Sequence, residues 1–358
     1  MKSLNANVRD ADLSSTDKHI FPYKWNLSDL KSVPKNGRTV FTCFSCGGGS
    51  SMGYKLAGYT VLGNCEIDPK MMEVYKTNHH PKYSYLMDIR DFVKLPDSEI
   101  PDELKHLDIL DGSPPCSVFS TIGSREDGWN TEKVFREGQA AQRLDDLFFY
   151  FIEVARKLQP KVIVAENVKG LLLGKAKGYV NEIIKAFDLA GYKVQIFLLN
   201  ASRMGVPQKR ERVFFIAHRK DLDYPKIKME FNENAILFGS VKTEKGNEVK
   251  GKDAELLKKI RRTDKYLSWV EEREKKIKIG NFRGINWDDS VSFTITSSGQ
   301  FYRGDKSSFS KGDFINVQTF PQDYNFLDQS VQYICGMSVP PVMMAQVARQ
   351  IERQWFND

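Results

Sequence analysis

Cysteine and histidine are scarce in this chain, with five of each in 358 residues. Cys43, Cys46, Cys65, Cys116 and Cys335 are too few and too scattered for a disulfide framework, and they fit a reducing compartment. Cys43 and Cys46 have the spacing of a redox or zinc half-site. No second pair and no histidine cluster accompanies them, so no metal is expected. Long apolar runs are also missing. Nothing approaches a membrane span, and the polar start, Met1 to Asp10, lacks the apolar core of a signal peptide. A cytoplasmic protein with no membrane partner is expected. Nor is charge strongly one-sided: 53 Lys and Arg against 46 Asp and Glu leave +7, a weak lean towards acidic partners. Repeats and low-complexity tracts are absent. What is present, 41% hydrophobic and 28% charged residues, describes an ordinary globular protein with length for one large domain or two smaller ones.

Residues 1–36 read as a polar extension docked through Phe21, Tyr23 and Trp25. From Arg38 short apolar runs alternate with amphipathic segments. Residues 39–44, 60–68, 107–113, 161–167, 193–200 and 212–218 read as strands. Between them Leu147, Phe148, Phe151, Val154, Ala155 and Leu158 form one apolar helical face, and 179–192 repeats the pattern before a glycine stop at Gly191. This alternation predicts an α/β domain with a mostly parallel sheet covered on both faces, over 37–218. Beyond His218 it stops, and 257–280 becomes dense in charge with aromatics interleaved. Those charges read either as a solvated helix face with ion pairs or as a surface that follows phosphates.

Three clusters carry chemistry. In the first, Phe44 to Tyr59, a strand end runs into glycines and then a helix, a turn that serves NAD, flavin, S-adenosylmethionine or nothing. Glu66 ends the next strand, where a carboxylate suits a ribose diol, and Asp88 ends a third segment, where it could accept from an adenine amino group. Either acid alone reads as a solvated loop carboxylate; together, in order, they describe a nucleoside pocket. The second cluster is Gly112 to Ser120. A strand delivers Cys116 to its carboxyl end, and Pro114 and Pro115 stiffen the backbone so that the thiol points one way. In so polar a loop the thiol reads as a nucleophile. Glu166 ends a later strand at the same sheet edge and reads as an acid, held protonated by burial, that donates to a substrate heteroatom. A thiolate adding to a heterocycle while an acid protonates a ring nitrogen creates an enamine carbon that can take a methyl group, and cytosine is the obvious ring. The third cluster puts Arg210 and Arg212 on alternate positions entering a strand, facing one side. They could bind a base carbonyl, a phosphate or an acidic neighbour such as Glu166.

Taken in order, "FSCGGGS", "CEIDP", "MDI", "GSPPCSVFS", "ENV", "GVPQKRERV" and "GMSVPP" resemble the cytosine-carbon-5 DNA methyltransferase family over 38–218 and 291–350. The resemblance implies a Rossmann-like, doubly wound methyltransferase domain using S-adenosylmethionine, with a smaller target-recognition domain at 219–325 and a C-terminal segment, 326–358, that rejoins the first domain. It implies that Cys116 bonds the flipped base, and that Glu166 and Arg212 hold the ring with Arg210 nearby. It further implies a cofactor pocket of Phe44, Ser45, Cys46, Gly47, Gly48, Glu66, Ile67, Asp88, Ile89, Ser113, Pro115 and Leu147, joined by Ser338 and Val339. Double-stranded DNA is the implied partner of a monomeric enzyme, with a cognate restriction endonuclease acting separately. Lys258, Lys259, Arg261, Arg262, Lys275 and Lys276 then become candidates for phosphate contacts. A tRNA-methylating relative and a non-catalytic DNA-binding relative are the alternatives. The chain departs from the family in three places. Cys46 stands where a Phe-x-Gly-x-Gly glycine is usual, which predicts a turn shifted by one residue. Asn316 stands where an arginine is usual, which leaves the packing of the recognition region open. Met337 replaces an asparagine at the cofactor's amino-acid end.

Overall fold

The structure is a computed structural model that describes residues 19–115, 146–173, 176–275 and 283–356, with the backbone of 132–133 and 142–143. Its chain falls into two units. The first comprises Val33–Leu199, Glu211–Glu230 and Met344–Asp358; the second comprises Met1–Ser32, Asn200–Arg210 and Phe231–Met343.

The first unit is built on seven strands: β1 (Thr39–Cys43), β2 (Thr60–Glu66), β3 (Tyr83–Leu86), β4 (Ile109–Gly112), β5 (Val162–Val168), β6 (Tyr192–Asn200) and β7 (Glu211–Arg219). Their order is β3-β2-β1-β4-β5-β7-β6. The pairs β1/β2, β1/β4, β2/β3 and β4/β5 are parallel, whereas β7 runs antiparallel to β5. β-branched and aromatic residues fill these runs because both faces are covered and little polar surface is tolerated. Helices α1 (Gly49–Leu56), α2 (Pro69–His79), α3 (Ile89–Lys94), α4 (Leu147–Leu158) and α5 (Ala176–Leu189) connect them. The stripe expected on α4 is the buried one: Leu147, Phe148, Phe151, Val154, Ala155 and Leu158 join Phe41, Leu110, Ile163 and Phe215 in one core. β3 is the strand least visible in the sequence, because its four residues are partly or wholly exposed. Strand order reverses between β1 and β4. In open α/β sheets the crevice at the carboxyl ends of such strands receives the ligand. Residues 44–48 and 113–115 leave β1 and β4 at those ends.

The C-terminal segment rejoins this unit from Met344 onward. Tyr59 donates its hydroxyl to Ala348 O at 3.1 Å, and the Arg38 guanidinium lies over the Phe356 ring and donates to its carbonyl. In the second unit the extension is docked chiefly by Trp25, which is 2% exposed and whose indole N–H donates to Thr319 O at 2.9 Å. A separate small core of Leu256, Leu257, Leu267, Val270, Ile285 and Tyr302 joins α6 (Gly251–Lys258), α7 (Leu267–Lys275), β8 (Arg283–Asn286) and β9 (Gln300–Arg303).

The structure accounts for the missing arginine at Asn316. Helix α8 (Lys311–Gln318) opens with a capping box between Ser310 and Asp313. Asp313 is fully buried, and its cation comes from Arg303 of β9, 3.6 Å away and 1% exposed. Asn316 instead donates to Val241 O at 2.6 Å. The guanidinium comes from another element, so the region packs without an arginine at 316.

Candidate active site

Glu66 organises the cofactor-side turn. Its carboxylate accepts from the backbone N–H groups of Cys46 at 2.7 Å, Ile67 at 2.9 Å and Asp68 at 3.0 Å. Burial pushes this carboxyl up while those donors pull it down. A carboxylate has about four acceptor sites, so room for a further donor remains. Ile67 beside it is 36% exposed, an apolar side chain left open next to a buried acid. Phe44 packs at 6.4 Å on Phe151, close to the buried Leu147. Asp88 caps α3 through Arg90 N–H at 2.8 Å, and its carboxylate pairs with the Arg90 guanidinium, which also reaches Asp146. Its first task is therefore local, and it stays partly exposed, whereas the neighbouring Ile89 is buried in the core.

Positive φ falls at Phe44 (55°), Cys46 (46°) and Gly48 (76°). Cys46 thus carries the left-handed backbone at the position where glycine is usual. A side chain there costs roughly 1–2 kcal/mol, so Cys46→Gly is expected to raise stability by about 1 kcal/mol, measured by urea unfolding; a loss of stability would contradict this strain. Gly48 needs its glycine for a second reason: a Cβ would lie 2.1 Å from His79 Nε2. It caps α1 without any side-chain hydrogen bond, which leaves the first N–H groups of that helix, after Gly47 and Gly48, without a capping side chain. Ser45 accepts from Asn64 at 2.9 Å.

On the catalytic side, β5 presents Glu166 and β7 presents Arg212. Arg212 lies opposite Val168 and Phe214 opposite Glu166, so the two functional residues are diagonal neighbours on one face. Arg212 Nε is 2.9 Å from Glu166 Oε1, both nearly buried. Burial pulls the guanidinium below its usual range and Glu166 opposes that. Glu166 was expected to stay protonated through burial; instead it has a cationic partner. The next residue, Asn167, donates to Pro114 O at 3.1 Å and so ties the Ser113–Pro115 loop to the end of β5. The sequence motif contained this asparagine, but only the fold shows what it holds. Cys116 lies outside the described residues.

Arg210 does not accompany Arg212. It belongs to the second unit, is 2% exposed, and donates to the carbonyls of Ile295, Gly336 and Ser338 at 2.8–3.0 Å. The strand begins at Glu211, so the alternation expected to put both arginines on one side does not extend back to Arg210. Ser338 and Val339 also belong to the second unit. Among the described residues the buried Ser338 hydroxyl has no hydrogen-bond partner. Met337, which directly precedes Ser338, is 39% exposed.

One residue of the floor escaped the sequence reading. Asp111 of β4, 1% exposed, accepts from Thr42 Oγ1 at 2.9 Å and Tyr54 OH at 3.2 Å. Burial above all raises its carboxyl to about 7 from the ordinary 3.8. A folded-state value above the unfolded one means that the native state binds the extra proton. The stability contributed is then complete below about pH 4 and is lost as pH rises to about 7, by up to about 4 kcal/mol. Asp111→Asn is therefore expected to gain about 2 kcal/mol on the wild type between pH 5 and pH 8. Urea melts at both pH values measure this, and parallel changes in the two proteins would refute it.

The basic stretch of the second unit is largely paired. Lys258 meets Glu255, Lys259 meets Glu274, Arg262 meets Asp289 and Lys275 meets Glu271. Arg261 is exposed, and Lys276 lies outside the described residues. The exposed pairs of Lys258, Lys259 and Arg262 are worth about 0–1 kcal/mol, so phosphate can compete for them, whereas the Glu271 carboxylate that Lys275 meets is buried. Among the described residues no cluster of His, Cys, Asp and Glu could hold a metal, and no helix is long and apolar enough to cross a membrane.

The model of the C-5 cytosine-specific DNA methylase family matches residues 39–353. The Type II methyltransferase M.FnuDI of Fusobacterium nucleatum is 35% identical over 218 residues, 60% of this chain and only 58% of that protein. The Type II methyltransferase M1.HphI of Haemophilus parahaemolyticus is 28% identical over 355 residues, 89% of this chain and 88% of its own. Among solved structures, a mutant of Spodoptera frugiperda DNMT2 shares the fold with a TM-score of 0.58 at 17% identity, over 88% of this chain and 99% of that one. The sheet order, the ordered motifs and a match across nearly the whole chain agree: this protein belongs to the C-5 cytosine-specific DNA methylase family.

Proposed function

We propose that the chain methylates carbon-5 of cytosine in duplex DNA, with S-adenosylmethionine as methyl donor. The observation that carries this reading is the buried Glu166–Arg212 pair beside a Pro-Pro loop tied down by Asn167, immediately before Cys116. The base must leave the helix first, at a cost of a few kcal/mol of unstacking. Cys116 Sγ, as thiolate, adds to carbon-6 of the ring. Glu166 hydrogen-bonds the ring at nitrogen 3 and supplies its proton, so the added electrons reach carbon-5. Arg212 holds Glu166 in place and offers its remaining N–H groups to the base carbonyl. Carbon-5 takes the methyl group and then loses its proton, and the thiolate is released, so the aromatic ring returns with one hydrogen exchanged for methyl.

Bound S-adenosylmethionine supplies the electrophilic methyl. Glu66 and the open face of Ile67 suit its ribose and adenine, with Asp88, Ile89, Phe44 and Leu147 around them. The uncapped first turn of α1, after Ser45, Cys46, Gly47 and Gly48, suits its carboxylate, with Ser113 and Pro115 bordering the methyl. On the family resemblance alone, Ser338 and Val339 are assigned to the cofactor as well. Arg210 supports them by holding the carbonyl of Ser338.

Residues 219–325 serve as the DNA-recognition region, where exposed Lys and Arg displace their surface acids for phosphates. The protein acts as a cytoplasmic monomer in a prokaryotic or phage-infected cell, alongside a separate restriction endonuclease. The experiment is nucleoside mass spectrometry on DNA and RNA from expressing cells. 5-methylcytosine in DNA supports the reading; a rise confined to RNA moves the assignment to tRNA, and no rise in either leaves only DNA binding.

A further inference from the structure

Helix α2 meets the glycine turn along a single face. Met71, Tyr75 and His79 recur at every fourth residue, so they share one side of the helix, and all three are buried. Each touches a different part of the turn or of α1. The Cys46 thiol lies 3.7 Å from the Met71 sulfur, and the Tyr75 hydroxyl is 2.8 Å from that of Ser51. His79 takes the place between them, at Gly48. Its ring holds the space that a Cβ on Gly48 would fill, with Nε2 the nearest atom.

That ring is itself fixed from two sides. It stacks on Tyr75 with centroids 4.1 Å apart and an interplanar angle of 11°. The His79 carbonyl accepts from Lys55 Nζ at 2.9 Å, which pins the end of α2 to α1. Burial, then Lys55, push the imidazole well below its ordinary range, and a hydrogen bond to the Gly47 backbone opposes them. The ring is therefore neutral near pH 7, with one nitrogen serving as a donor. A fixed donor matters here because glycines impose little of their own on φ and ψ.

We propose that His79 is a positioning residue for the cofactor: by holding the backbone at Gly47 and Gly48, it fixes the turn that receives S-adenosylmethionine. The inference rests on the reading of that turn as the cofactor site. Buried against the turn, the imidazole acts through the backbone.

Two substitutions separate this role from plain packing. His79→Leu and His79→Gln both give up the stack on Tyr75, but only the glutamine keeps an N–H donor of similar reach. Urea unfolding establishes that each is folded. Calorimetric titration with S-adenosylmethionine should show His79→Leu binding about tenfold more weakly than the wild type, and His79→Gln within about threefold. In the cofactor-free proteins, amide hydrogen exchange at residues 46–49 should quicken by about tenfold in His79→Leu alone. Equal affinities in the wild type and His79→Leu would overturn the proposal. Equal weakening in both variants would overturn it too, since bulk alone would then explain the effect. If His79→Leu does not fold, His79→Asn, whose amide is too short to reach the turn, should show the same weakening. Wild-type protein that binds no S-adenosylmethionine would sink the reading of the site, while exchange at the turn still decides whether His79 holds it.

Discussion

Cys116→Ala is expected to abolish 5-methylcytosine formation, by on the order of a thousandfold or more, while binding of DNA and cofactor stays within a few-fold. The asymmetry follows from chemistry. Carbon-5 of cytosine is a poor nucleophile until carbon-6 carries an added group, which the thiolate supplies. Binding depends on phosphate contacts and the nucleoside pocket, which the substitution leaves alone. Mass spectrometry of DNA from expressing cells reads the first effect and a salt-matched gel-shift titration the second. Methylation that persists in the variant would remove Cys116 from the mechanism altogether. Loss of binding together with activity would mean that the loop, rather than the thiol, had been damaged.

Arg212→Met should cost stability and activity together. It leaves Glu166, 8% exposed, without the cation 2.9 Å away. Stranding a buried charge in this way costs about 3–5 kcal/mol, most of it the penalty of the unpaired partner. Adding Glu166→Gln should restore much of the stability and none of the activity, since the ring then lacks both partners. Urea unfolding at pH 8 measures the first part and methyl incorporation the second. A single variant within about 1 kcal/mol of the wild type at pH 8 would show that water already screens the pair.

Local patterns were enough to anticipate the sheet, the apolar stripe of α4 and the ordered motifs, because period-2 and period-3.6 burial are written in neighbouring residues. The candidate nucleophile Cys116 and candidate acid Glu166 were picked out for the same reason: each belongs to a short, distinctive run of sequence. What escaped depends on partners distant in the chain. Alternation linked Arg210 to Arg212, yet Arg210 precedes the strand and closes on carbonyls some 85–128 residues away. The usual glycine suggested a shifted turn, whereas Cys46 accepts the left-handed backbone itself, its N–H held by Glu66. Arg303 replaces an arginine missing from another element, which no linear motif could reveal.

By itself, then, the order of residues determined the family, the strand-and-helix alternation and the candidates for the reactive groups, since propensity, periodicity and motif chemistry act over a few residues at a time. Only the tertiary structure decided which charges are paired, which arginine reaches Glu166, and that Asp111 of β4 lies buried. Desolvation and Coulomb interactions depend on distance through space, and the sheet brings β4, β5 and β7 together from positions about a hundred residues apart.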